Sequence, residues 1–174
     1  MNQLHIQLKI DLATQIYRKM KKSLFILALV FISASAMAQT TSEEIDMIQS
    51  IFGKEKKAFV EEFIQMDASQ SDAFWKLYYE YETARKELGK KRIALLENYA
   101  DNYSENMEEE VTGQILKETM ALQKSNDKLI SSYTNKIKKD VGVMVASQFY
   151  QIEEYILAKT RSEILENIPV LGQK

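Results

Sequence analysis

The side chains that carry most enzyme chemistry are scarce in this 174-residue chain. It has no cysteine, and its one histidine, His5, lies in an amino-terminal stretch that we expect to be removed. Without a thiol or an imidazole, the remaining chain cannot build a Cys–His or Ser–His nucleophile pair, or a zinc site with such ligands. It also has no phosphate-binding glycine loop and no Glu-x-x-His pair. The sequence therefore predicts a protein that is not an enzyme and uses no cofactor and no metal.

An acidic stretch, DNYSENMEEE at residues 101–110, gathers several oxygen ligands. Its carboxylates could hold a hard cation such as calcium, but their spacing is not that of an EF-hand loop. Acidic side chains also suit the positive N-terminal end of a helix. We interpret the stretch as a polar break that caps the helix after it.

Two neighbouring runs could support binding. WKLYYEY at residues 75–81 offers aromatic side chains that bury a large area and keep a polar end. RKELGKKR at residues 85–92 offers charged side chains with aliphatic stems. The candidate client-binding residues are Trp75, Tyr78, Tyr79, Lys86, Lys90 and Arg92.

Each run also has a structural alternative. The aromatic side chains could pack against the first and fourth helices, and the basic run could be a solvated face with four-residue pairs such as Glu82–Lys86. Further along, Glu153 beside Lys159 and Arg161 has the pattern of surface charge pairing.

A secretory leader precedes these runs. The basic segment MKK at residues 20–22 is followed by the apolar run LFILALVFI and then by the small-residue ending AMA at 36–38. That order is typical of a signal peptide, and the apolar run is shorter than the roughly 20 residues of a membrane span. We expect translation from Met20 and cleavage after Ala38, with a longer amphipathic leader over residues 1–19 as the alternative. The mature chain, residues 39–174, would be exported as a single domain with no integral membrane span.

The charge of the mature chain limits its partners. The whole chain has 23 basic and 25 acidic residues, and the leader contains more bases than acids. The mature chain is therefore clearly acidic, which argues against nucleic acid as a partner because phosphate backbones require a basic surface.

Helix formers dominate the rest of the chain, which has 5 glycines and 1 proline. No strand-type alternation or hairpin turn occurs, so the sequence predicts an all-α fold. Apolar residues at three- and four-residue steps predict a helix beginning at Ser42, with an interruption possible at Gly53, and helices over residues 69–103, 107–141 and 146–167. Short connections between long helices predict an antiparallel helical hairpin or bundle.

One pentapeptide pattern occurs twice, as MDASQ at residues 66–70 and MVASQ at 144–148. Its polar side chains could cap a helix, with the glutamine reaching back towards the preceding loop. We interpret the two copies as matching helix entrances, and coincidence between two good start signals is the alternative. The entrance residues are Met66, Asp67, Ser69, Gln70, Met144, Ser147 and Gln148.

The two copies resemble the Leu-Thr-x-x-Gln motifs of the Spy/CpxP family of periplasmic helical proteins. Two longer runs are similar to segments of exported proteins in that group: FIQMDASQSDAFWKLYYEYETARKELGKKRIALLENYADNY and the closing run ASQFYQIEEYILAKTRSEILENIP. The resemblance covers about residues 58–170. It implies a periplasmic protein of long helices, often a dimer, that acts as an ATP-independent chaperone or as a sensor of envelope stress.

These observations predict a non-enzymatic periplasmic binding protein whose partners are unfolded or envelope proteins, with a homodimer possible. The alternative is a structural or regulatory subunit that binds one fixed protein partner through its helical seam.

Overall fold

The computed structural model describes residues 42–103 and 107–169, with side chains from residue 52 onward. Its helices are α1 (Ser42–Phe63), α2 (Ala68–Asn102), α3 (Glu109–Asp140) and α4 (Val143–Asn167). The predicted all-α fold of long antiparallel helices is confirmed. The leader, with its predicted start at Met20 and cleavage after Ala38, lies outside the described residues. Within the described ranges, no helix is long and apolar enough to span a membrane.

The helix boundaries follow local signals. α1 begins at the predicted residue, and α2 begins one residue before its predicted start. The interruption considered at Gly53 is absent, because α1 runs through it. α4 begins three residues before its predicted start because Gly142 ends the preceding turn with a φ of 139°. That conformation is open to glycine and disfavoured for other residues.

The four helices pack in a ring. Each helix contacts the next one along the chain, and α1 also contacts α4. α1 has 22 residues and α2 has 35, so at about 1.5 Å per residue α1 is roughly 20 Å shorter. Because both helices start from the turn at residues 64–67, the far part of α2 extends beyond α1.

The core lies near the two short turns, where all four helices meet. Its largest fully buried aromatic side chains are Phe74, Tyr78 and Tyr81 of α2 and Phe149 of α4. The Tyr81 and Phe149 rings meet edge to face, with centroids 5.1 Å apart. Burying each such side chain contributes about 1.5–3 kcal/mol, so this cluster fixes how α2 and α4 sit across the bundle.

The first pentapeptide forms the start of α2. Asp67 occupies the N-cap position, and the Gln70 side chain accepts a hydrogen bond from the Asp67 backbone N–H at 2.9 Å. This is the back-reaching contact of a capping box. Met66 packs against the core beside it.

The second pentapeptide has a different register from the one predicted. Met144 is already the second residue of α4, and the Ser147 hydroxyl donates to the Val143 carbonyl at 2.8 Å, as in a helix interior. The two copies are therefore not equivalent entrances, because Gly142 supplies the start of α4.

The glutamines of the two copies nevertheless have reciprocal roles. The Gln70 amide donates to the Val141 carbonyl in the α3–α4 turn at 2.9 Å. The Gln148 side chain accepts from the Gln65 backbone N–H in the α1–α2 turn at 3.1 Å. Each glutamine thus bonds to the turn of the other helical hairpin and ties the two hairpins together at this end.

Candidate binding groove and buried ion cluster

A charged cluster lies inside the bundle. The Lys56 ammonium of α1 is 2.6 Å from Glu82 Oε1 of α2 and 2.7 Å from Glu153 Oε2 of α4. The Tyr81 hydroxyl donates to the same Glu153 oxygen at 2.6 Å. The Lys56 side chain is 0% exposed, and its ammonium lies 4.6 Å from the centroid of the Tyr81 ring. These contacts join three helices at one point.

The sequence interpretation missed this cluster. It paired Glu82 with Lys86 and placed Glu153 on a charged surface, and both assignments are wrong because both carboxylates are buried. The signal was present in the spacing: each charged residue follows a core aromatic by four residues, as Lys56 follows Phe52 and Glu153 follows Phe149. One positive and two negative side chains therefore stand at positions on the apolar faces of three helices. Such a pattern indicates a buried ion pair.

The two carboxylates differ electrostatically. Arg85 Nε contacts both Glu82 oxygens at 3.0 Å. Burial raises the pKa of Glu82, but Lys56 and Arg85 outweigh it, and the pKa is lowered. Burial dominates at Glu153 and raises its pKa, although Lys56 and Tyr81 favour the charged form. One Glu153 oxygen, Oε1, is buried and has no hydrogen-bond partner in the described part of the chain.

A groove of about 420 Å³ runs from this cluster along α2, α3 and α4. Phe52 and Lys56 of α1 complete its lining at the end nearest the cluster. Its wall is mostly apolar, with aliphatic and aromatic side chains, and Glu153 and Glu163 also line it. Residues that form the aliphatic wall include Ile93, Leu96, Ile130, Ile156, Leu157 and Ile164.

One cation in the groove wall lacks a counter-charge. Arg92 is half-buried, and among the described residues it makes no ion pair or hydrogen bond with a carboxylate. Burial and the nearby positive charges of Arg161 and Arg85 lower its pKa. Arg161 is itself 3.2 Å from Asp127, and Arg85 is bound to Glu82.

The six predicted client-binding residues fall on two faces of α2. By helical spacing, at about 100° per residue, Trp75, Tyr79, Lys86 and Lys90 share one face. Tyr78 and Arg92 lie on the other. Tyr78 is 1% exposed in the core and cannot contribute to a surface. Arg92 faces the groove.

The exposed aromatic face is small. Tyr79 is 52% exposed. Trp75 is half-buried and packs against the core. Their rings are 6.1 Å apart, and the Lys57 ammonium lies 4.9 Å from the Trp75 centroid. Lys90, further along the same face, pairs with Glu87 at 3.5 Å.

The chemistry that the cluster could perform is narrow. Two carboxylates converge at one end of a cavity, as acid–base catalysis requires. Lys56 forms ion pairs with both, however, and Arg85 pairs with Glu82. Among the described residues, Glu153 Oε1 is therefore the one oxygen of the two carboxylates without a polar contact. Within the described ranges, no group of three or more acidic or imidazole side chains is arranged to hold a metal ion. The groove, with its aliphatic wall, has the character of a ligand-binding site.

A scan against models of known protein families, a search of curated proteins and a search of solved structures each found no match to this chain.

Proposed function

We propose that this chain is an exported, non-enzymatic binding protein that holds apolar segments of unfolded or envelope proteins, as an ATP-independent chaperone or envelope-stress adaptor of the Spy/CpxP kind. The observation that supports this most strongly is the aliphatic groove of about 420 Å³ between α2, α3 and α4. Pockets of about 300–1,000 Å³ with apolar walls are the usual size of ligand sites.

The groove favours weak and reversible binding. Each apolar group that enters it gains about 25 cal/mol per Å² removed from water. Most of the wall is apolar, and backbone N–H and C=O groups left unpaired against the apolar part are costly. A client therefore enters the groove with apolar side chains and keeps its backbone outside.

The exposed face of α2 offers a second contact. Tyr79 and Trp75 present aromatic area beside Lys57, which suits a client segment that carries both apolar and acidic residues. This face retains four of the six residues that the sequence suggested for client binding.

An aggregation assay with adjacent variants tests the groove. The mature chain, residues 39–174, should suppress aggregation of unrelated unfolded proteins at near-stoichiometric amounts without nucleotide. Ile164 lines the groove, whereas its neighbour Leu165 is 69% exposed. Ile164→Lys should lose most of the suppression, and Leu165→Lys should keep it.

Controls decide between the two contacts. Circular-dichroism melting shows that each variant is folded. Replacing both Trp75 and Tyr79 by alanine should lower suppression only in part, because the groove remains. Full suppression by Ile164→Lys would eliminate the groove as the client site.

A second candidate is a subunit for one fixed partner. Leu116 and Met120, one turn apart on α3, are 59% and 64% exposed. Such a pair could pack against a partner helix or a second copy of this chain. Sedimentation would detect a homodimer. A fixed partner should co-purify stoichiometrically and be lost from a Met120→Glu variant, with no suppression of aggregation in either protein.

A further inference from the structure

The groove has one feature that a purely apolar client leaves unused. Arg92 lies in its wall and, within the described part of the chain, has no carboxylate partner. Two other guanidinium groups, of Arg85 and Arg161, are near enough to act on it electrostatically. A half-buried cation without a counter-charge is unfavourable, and an anion that enters the groove relieves that cost.

The wall that contains Arg92 is mostly apolar, although Glu163 also lines it. Its aliphatic side chains include Ile93, Leu96, Ile130, Leu157 and Ile164. An unbranched aliphatic chain could lie along this wall without bringing any unpaired polar group into it. A guanidinium group is well suited to bind a planar carboxylate or a phosphate through two parallel hydrogen bonds.

We propose that the groove binds a single-chain anionic amphiphile, an unbranched aliphatic chain that ends in one acid group, with the acid against Arg92 and the chain along the aliphatic wall. The proposal rests on the proposed function in that it uses the same groove. It adds the ligand class and a consequence, because such an amphiphile competes with client side chains.

Isothermal titration calorimetry on the full exported chain tests this with three probes of equal length. Hexadecanoate and hexadecyl phosphate carry the acid, and hexadecanol does not. All are used below the concentrations at which they form aggregates. We expect both acids, or one of them, to bind at least tenfold more tightly than the alcohol, because a hydrogen bond to a charged group contributes about 1.5–3 kcal/mol. The stronger of the two identifies carboxylate or phosphate as the natural head group.

Matched variants identify the residue responsible. Arg92→Gln should weaken acid binding at least tenfold and leave hexadecanol binding unchanged. Arg92→Lys keeps the charge without the planar fork and should bind the acids with intermediate affinity. Lys91→Gln removes the exposed neighbouring charge and should change nothing. Shortening the chain should weaken binding about fourfold per methylene until the wall is no longer filled.

The outcomes separate this inference from the proposed function. Equal affinity for hexadecanol and the acids, or unchanged acid binding by Arg92→Gln, overturns the acid site and leaves apolar binding intact. If no probe binds but aggregation is suppressed, the groove holds protein clients only, and the inference fails alone. If no probe binds and aggregation is not suppressed, the proposed function fails as well. Hexadecanoate that binds should also lower suppression of aggregation in proportion to occupancy.

Discussion

Replacing Lys56 with methionine should destabilise this protein far more than any substitution of a surface lysine. The ammonium of Lys56 is 2.6 Å and 2.7 Å from two carboxylates whose side chains are 10% and 3% exposed. Methionine fills much of the same volume but leaves those carboxylates buried without their shared cation. Removing one partner of a buried pair costs about 3–5 kcal/mol, whereas exposed pairs contribute about 0–1 kcal/mol. The expected loss is therefore about 3–5 kcal/mol, or roughly 10–20 °C in Tm for a domain of this size.

The stability lost in Lys56→Met should increase as the pH rises. Burial already raises the pKa of Glu153 above its ordinary value of 4.5, and Lys56 opposes that rise. Lys56→Met removes the ammonium that opposes this rise, so the pKa of Glu153 in the folded protein rises further. When the pKa of a carboxyl group is higher in the folded protein than in the unfolded chain, the folded protein loses stability as the pH rises through the interval between the two values. The difference between variant and wild type should therefore be largest at neutral pH and shrink as pH falls towards 4.5.

Urea denaturation at pH 5 and pH 8, followed by circular dichroism, measures both effects. Lys54→Met, which changes an exposed lysine half a turn away, is the matched control and should lose less than 1 kcal/mol. Adding Glu153→Gln to Lys56→Met should recover part of the loss, since it removes the unpaired charge. A deficit no larger than that of the control, or one that does not change with pH, would refute a buried ion cluster.

Three further tests, two of them with a matched control substitution, probe particular contacts by thermal or urea unfolding. Tyr81→Phe should lower the free energy of unfolding by about 1.5–3 kcal/mol because the Tyr81 hydroxyl donates to a buried carboxylate. Its control, Tyr78→Phe, should be neutral or stabilising because the buried Tyr78 hydroxyl has no partner among the described residues. Equal effects of the two substitutions would contradict these contacts. Gly142→Ala should cost about 1–3 kcal/mol because of its φ of 139°. The control Gly113→Ala lies in a helix, with nothing within 4 Å of the added carbon, and should stabilise the protein by about 0.5–1 kcal/mol. A Gly142→Ala variant that is more stable than the Gly113→Ala variant would disprove the turn geometry. Gln70→Ala should cost about 1–2 kcal/mol because it removes both the capping contact and the hydrogen bond to the α3–α4 turn. A loss below about 0.5 kcal/mol would show that these two Gln70 contacts do not form in solution.

Local pattern was sufficient for the helices. Three- and four-residue spacing predicted all four, and the start of α2 was within one residue because Asp67 and Gln70 signal it locally. The start of α4 was missed because it depends on the conformation of Gly142, which any glycine could adopt and few need to. The prediction that both pentapeptides begin a helix was wrong for the second copy for the same reason. The glutamines of the two copies nevertheless each bond to the turn of the other helical hairpin.

The placement of the candidate binding residues was only partly predictable. The sequence proposed the aromatic run on α2 for client binding, and its residues divide between the core, an outer face and the groove. Sequence spacing gives the angle of a residue around its own helix. It does not say which neighbouring helix covers that angle. Tyr78 and Tyr79 are adjacent in the chain, yet one is 1% and the other 52% exposed.

The amino-acid sequence by itself determined that this chain is helical, because propensity and periodicity act within a few residues of each other. It also determined that the chain past its predicted leader has no thiol or imidazole. Only the tertiary structure decided that Lys56, Glu82 and Glu153 meet, since they are contributed by three helices separated by up to about a hundred residues. The groove likewise exists only because side chains of all four helices come together around it. Long-range packing sets which charges are buried and which apolar faces remain open, and those two properties carry the function proposed for this protein.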